Sequence, residues 1–171
     1  MLSGSQVILR APTEADWVFF YNLRNDFESQ LLLMSLPRAN TMARVQQWIH
    51  IILDDPASVF FVIADTDNSE ALGFVQVRGM NFIHGTGELG IYMDAKVRGN
   101  GSTSEALQIL EQYLSDVFKL RKLTLEVLAI NKRAIGFYLK SGWRQVGVLT
   151  AHFYQKQNYQ DVVLMEKFLE P

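Results

Sequence analysis

The chain predicts an α/β (α+β) fold, with residues 1–171 forming one domain on a mixed sheet flanked by helices. Three observations support this. Dense β-branched and aromatic runs, such as Val59-Phe60-Phe61-Val62-Ile63-Ala64, alternate with stretches whose apolar residues recur every three or four positions. Strands and helices interleave in the middle, while hairpin-like strand pairs dominate the early and late parts. No repeat, low-complexity tract or Pro/Gly-rich linker divides the sequence.

Gln6-Val7-Ile8-Leu9-Arg10 reads as a first strand, closed by Pro12. Thr13 can cap the next helix, with Asp16 approximating a capping box. Trp17, Phe20, Tyr21 and Leu23 or Arg24 then follow at helical spacing. A second helix spans about 41–53, striped by Val45, Trp48, Ile49 and Ile52. Segments 59–64 and 71–80 pair across a polar turn at 65–69, and a turn at 84–87 leads into a strand at 88–94. The helix from Ser102 to about Phe118 places Leu107, Leu110, Leu114 and Val117 on one face. A strand at 123–128, a short helix at 131–140 and strands at 143–149 and 161–168 complete the chain.

Apolar residues make up 49% and charged residues 20%, ordinary globular proportions. Sixteen basic and eighteen acidic side chains leave a charge of −2, which argues against a dedicated nucleic-acid binder. With no cysteine, a disulfide scaffold, a thiolate nucleophile and a Cys-ligated zinc are excluded. The three histidines, His50, His84 and His152, are too scattered to suggest a metal site. Met1 to Ser5 lacks the character of a secretory leader, and the apolar runs are too short to span a bilayer. A soluble, cytoplasmic protein with no membrane partner is the expectation.

The segment from Arg98 to Leu107 carries most of the functional signal. It follows an apolar strand and contains Gly99 and Gly101 just before a helix. Glycine lets successive N–H groups converge, and the helix N-terminus adds partial positive charge, together an anion cradle. A Walker loop fails because Ser102-Thr103 stands where Lys and Ser/Thr are needed. A dinucleotide fingerprint is weak because its third glycine is Ser104. A plain capped helix also fits, with Ser102 and Glu105 forming an S-x-x-E capping box without any ligand.

Ile91-Tyr92-Met93-Asp94, then Arg98-Gly99-Asn100-Gly101 and a helix, resembles the acyl-CoA motif of the GNAT superfamily of N-acyltransferases. The family pattern is Gln/Arg-x-x-Gly-x-Gly/Ala; Arg98 and Gly101 match, and Thr103 takes the final small position. Ser102 replaces a usual apolar residue, and Ala95 stands where many relatives carry proline. Leu125 to Asn131, Ala134 to Tyr138 and Ser141-Gly142-Trp143 also resemble that family. Asn81 to His84, the Glu88 strand and Asn158 to Asp161 resemble its spermidine and ribosomal-protein acetyltransferase branch.

The resemblance implies a mostly antiparallel sheet splayed at its central strands, acetyl-CoA as co-substrate and no metal. It implies that main-chain groups of Ile91, Tyr92 and Met93 hold the pantetheine arm. The amides of Gly99, Asn100, Gly101, Ser102 and Thr103, with Arg98, would hold the pyrophosphate. Asn131 would cap its helix and face the cofactor, Tyr138 would protonate the departing thiolate, and Glu88 or Glu126 would serve as base. Without cysteine, direct attack in a ternary complex is the economical route. The acceptor would be a small-molecule or peptide amine, such as a polyamine or amino sugar; a protein N-terminal amine and a non-catalytic CoA-sensing module are the alternatives. Exposed members of Trp17, Phe19, Phe20 and Tyr21, with Asn25 and Glu28, would line the acceptor pocket. Tyr154, Tyr159, Asp161 and His84 are further rim candidates. Dimers are common in the family, so the resemblance is compatible with a homodimer.

Overall fold

A computed structural model describes residues 1–169. In chain order its elements are β1 (Leu2–Ser3), β2 (Val7–Arg10), α1 (Trp17–Asn25), α2 (Phe27–Leu32), α3 (Met42–Asp54), β3 (Val59–Asp65) and β4 (Ala71–Asn81). There follow β5 (Thr86–Met93), α4 (Ser102–Phe118), β6 (Lys122–Leu128), α5 (Lys132–Lys140), β7 (Arg144–Gln155) and β8 (Asn158–Phe168). The strands form one eight-stranded sheet in the order β1-β2-β3-β4-β5-β6-β8-β7. Every pairing is antiparallel except β5 with β6.

That one parallel pairing is short. Thr86, Gly87 and Glu88 face Lys122, Leu123 and Thr124, and no register continues beyond them. β5 stays paired with β4 as far as Met93 opposite Gly73, and β6 with β8 as far as Leu128 opposite Val162. The two central strands therefore diverge toward their C-terminal ends, leaving unpaired main chain along both sides of a wedge.

Alternation along β4 divides the core. Val75 and Val77 point to the face covered by α4, joining Leu89, Met93, Leu107, Leu110 and Leu114. Phe74 points to the opposite face, where Phe20, Trp48 and Phe60 pack around it with ring centroids 5.3–6.2 Å apart. Fully burying each such side chain contributes about 1.5–3 kcal/mol.

The expected start of the first helix is present. A short 3-10 turn at Glu14–Asp16 precedes α1, and the Asp16 carboxylate accepts from the Thr13 amide at 2.6 Å and the Thr13 hydroxyl at 3.0 Å. Arg10 grips the same carboxylate with both Nη atoms, at 2.7 and 2.8 Å. Burial acts to raise the Asp16 pKa, but the bonds from Arg10 and Thr13 outweigh it and hold it below the ordinary value.

Two features depart from the sequence reading. α2 was not expected, because its buried residues are Ser29 and Gln30 and its apolar Phe27 and Leu32 are exposed, so it has no apolar stripe. Asp26 starts it, its side chain accepting from the Ser29 amide at 3.0 Å. The last hairpin is also longer than expected. β7 and β8 meet at Gln155 and Asn158 through Lys156 and Gln157, both at positive φ (47° and 66°), a tight turn made without glycine.

Candidate acyl-transfer site

A cleft of about 400 Å³ occupies the wedge between β5 and β6 and runs through to the aromatic face of the sheet. Leu89 to Met93 and Val127 form its walls, and Arg98, Gly99 and Thr103 close one end. Gly99 and Gly101 adopt φ of 90° and 99°, left-handed values that side chains disfavour. A Cβ on Gly99 would meet nothing within 4 Å, so the backbone angle, not space, demands glycine there. The amides of Gly99, Asn100 and Gly101 have no protein acceptor among the described residues. They stand directly ahead of α4, whose dipole places partial positive charge at the same point.

The capping box at Ser102 and Glu105 is overturned. The Ser102 amide donates to Asn100 Oδ1 at 3.0 Å, and Glu105 does not reach back to it. Glu105 instead accepts from Ser5 N (2.7 Å), Ser5 Oγ (2.5 Å), Gln6 N (2.8 Å) and Val7 N (2.9 Å). Burial acts to raise its pKa, but these donations outweigh it and lower it to about 2. The carboxylate thus ties the first turn of α4 to the strand entering the sheet, and this contact between positions about 100 apart was invisible as a local motif.

The other expected residues distribute as follows. Ile91, Tyr92, Met93, Arg98, Gly99, Thr103, Asn131, Glu88, Glu126 and Tyr138 all line the one cleft. Asn100, Gly101 and Ser102 belong to the same turn without lining it. Arg98 bends back, Nε donating to the Met93 carbonyl at 2.8 Å and the guanidinium lying 5.7 Å from the Tyr92 ring. Asn131 caps α5 by accepting from the Ala134 amide at 3.2 Å. Tyr138, one turn and a half along α5, is wedged between Phe137 and Trp143 with centroids 5.5 and 5.7 Å away. Burial pushes its phenol upward, so the hydroxyl stays protonated and available as a donor. Glu88 bonds Arg78 at 3.0 Å, whereas Glu126 has no hydrogen-bond partner among the described residues.

The residues expected at an acceptor rim lie outside the cleft. None of Trp17, Phe19, Phe20, Tyr21, Asn25 or Glu28 lines the cleft; Phe20 is fully buried, and Asn25 holds the backbone of Asn40. Tyr154 and Tyr159 pair with each other at 5.1 Å, and Asp161 accepts from Ala151 N at 2.8 Å. His84 serves its turn, its carbonyl accepting from Arg121 Nε at 2.9 Å. Instead Arg24, Ser35, Trp48, Phe74, Gln76 and Arg78 form the second end of the cleft. Two of these left a trace in the sequence: Arg24 falls at the spacing of the apolar stripe of α1, and Gln76 interrupts the apolar run of β4.

Residues 6–144 match the family model described as Acetyltransferase (GNAT) domain. The chain belongs to the GNAT family of acetyltransferases. It is 26% identical over 170 residues to the spermidine N(1)-acetyltransferase of Vibrio cholerae serotype O1, covering 97% of each chain. It is 29% identical over 98 residues to the spermidine N(1)-acetyltransferase of Escherichia coli K12, covering 57% of this chain and 53% of that one. The crystal structure of spermidine N-acetyltransferase from Vibrio cholerae in complex with CoA and spermine superposes with a TM-score of 0.88 at 25% identity, covering 97% of both chains. The splayed, mostly antiparallel sheet is thus the GNAT fold, and the chain is an acetyltransferase. Among its described residues no helix is long and apolar enough to cross a membrane.

Proposed function

We propose that this protein transfers an acetyl group from acetyl-CoA to a primary amine on a small molecule, a polyamine or an amino sugar, by direct attack within a ternary complex. The observation that carries this reading is the wedge between β5 and β6, with a glycine turn at one end and the Tyr138 phenol on its wall. Unpaired main chain on β5 suits the amide groups of a pantetheine arm, as an added strand would. The free amides of Gly99 to Gly101 and the α4 N-terminus suit a diphosphate. The names of the relatives, with CoA and spermine bound in one of them, support CoA as the co-substrate and a small amine as the acceptor.

Acetyl-CoA supplies the activated acyl thioester. The protein's part is to hold two reactants in line and to move two protons. The acceptor must attack as a neutral amine, and a carboxylate on the cleft wall takes its proton through water. Glu88 is engaged by Arg78, which leaves Glu126 the freer base. As the carbon–sulfur bond breaks, Tyr138 gives its proton to the leaving sulfur. Burial keeps the phenol in its protonated form until negative charge develops on the sulfur. No covalent acyl-enzyme is required, and the chain has no cysteine to form a thioester intermediate.

Thiol release from acetyl-CoA in the presence of a panel of amines tests the proposal. Amine-dependent release is expected with at least one member. Binding of CoA without release for any amine would favour a CoA-sensing module instead.

A further inference from the structure

The second end of the cleft holds a cation with no counter-ion. Arg24 is half-buried there, its guanidinium lying 4.8 Å over the Trp48 ring and its Nη1 donating to Ser35 Oγ at 3.2 Å. No described carboxylate lies within ion-pair distance of it. Burial and the nearby charge of Arg38 both act against its protonation, so its surroundings add positive charge and supply none of the opposite sign. An arginine remains charged in such a setting, and its fork of donors matches carboxylate or phosphate oxygens.

The arrangement is built rather than incidental. Gln30, 1% exposed, donates to the Arg38 carbonyl at 3.2 Å and accepts from the Arg38 amide at 3.1 Å. Asn40 donates to the Arg24 carbonyl at 2.6 Å, locking helix and loop together. The segment that carries Ser35 and Arg38 is therefore pinned by buried amide side chains beside Arg24.

A second, independent observation lies on the same wall. Trp48 packs on Phe74 at 5.5 Å, and Gln76 follows two residues later on the same face of β4. Gln76 is 8% exposed and lines the cleft, and its Oε1, closed off from solvent, has no hydrogen-bond partner among the described residues. Gly90 stands opposite, where a Cβ would approach Gln76 Nε2 to 3.0 Å, so glycine there leaves room for the amide. Half a turn of the amide about its last bond exchanges Oε1 with Nε2 at the cleft face, where a ligand N–H satisfies the acceptor.

Resting on the acetyltransferase reading, we infer that the acceptor is an amine that also carries an anion, a carboxylate or phosphate. Gln76 Oε1 accepts from its amine and Arg24 receives its anion. A polycation would set positive charge against Arg24, while of the cleft's two carboxylates Glu88 is engaged by Arg78 and Glu126 is assigned to the proton of the attacking amine. The anion-bearing acceptor is thus preferred over a polyamine.

Matched acceptors test this with the purified protein and acetyl-CoA: glucosamine 6-phosphate against glucosamine, glycine against glycinamide, and spermidine. The expected kcat/KM for at least one anionic member exceeds that of its neutral twin and of spermidine by about tenfold or more, mainly through KM. The pair that shows the advantage tells phosphate from carboxylate. Arg24→Gln should remove the advantage by raising KM for the anionic member, Arg24→Lys should keep part of it, and Gln76→Leu should raise KM for both twins alike. Melting curves verify that the variants are folded. Spermidine turned over as well as any anionic amine, or an advantage unchanged in Arg24→Gln, would overturn the inference while leaving the acetyltransferase reading intact. Failure of every amine would overturn both.

Discussion

Glu105→Gln should loosen the clamp between α4 and the first strands, and its size follows from the four donors. One carboxylate oxygen accepts from Ser5 N and Oγ, the other from Gln6 N and Val7 N. Glutamine keeps one accepting oxygen and turns an NH2 toward the remaining donors, so two bonds are lost together with the charge. A carboxyl lowered from 4.5 to about 2 implies roughly 3 kcal/mol at about 1.4 kcal/mol per pH unit. Solvent screening at this partly open position reduces that to about 2 kcal/mol. Because the folded-state pKa is the lower one, the stabilisation is fully present above the unfolded value near 4.5 and is lost as pH falls toward 2. Urea denaturation at pH 7 should therefore separate variant from wild type by about 2 kcal/mol, roughly 4–8 °C in melting temperature. The gap should shrink steadily between pH 4.5 and pH 2. Equal stability at pH 7, or a gap that persists unchanged at pH 2, would refute the reasoning.

Tyr138→Phe should lower amine-dependent thiol release by at least about tenfold with CoA affinity, measured by calorimetry, little changed. Gly99→Val should weaken CoA binding by about tenfold or more, because a β-branched residue at φ 90° strains the turn although nothing occupies the space, and titration of CoA reads the loss. Asp16→Ala should cost about 3 kcal/mol in urea denaturation, since it leaves the Arg10 guanidinium, 13% exposed, without its carboxylate.

Elements with strong periodicity or strong local chemistry were legible from the residues. The hairpin at 59–80 announced itself by β-branched runs around a polar turn, and Thr13 with Asp16 marked the first helix. The glycine turn was legible because positive φ at Gly99 and Gly101 is a requirement that residue type records directly. What escaped depends on contacts between distant positions. Glu105 looked like half of a local box but serves Ser5, Gln6 and Val7. α2 escaped because it buries Ser29 and Gln30 for their hydrogen bonds rather than burying an apolar stripe. Arg24 and Gln76 looked like interruptions in apolar patterns, and only the approach of α1 to β4 across Trp48 and Phe74 brings them to one wall.

The two halves of the sheet, five strands and three, are fastened at the midline by only three facing residue pairs. Further ties sit at the same closed end, where Arg121 and Lys122 amides both reach the Gly85 carbonyl at 2.8 and 3.0 Å. Such a sheet is compliant about that pivot, like a clothes-peg whose spring lies at one end. A guest that bonds to both jaws becomes a cross-brace, so occupancy should slow amide exchange in β5 and β6 together, far from the guest's own charge.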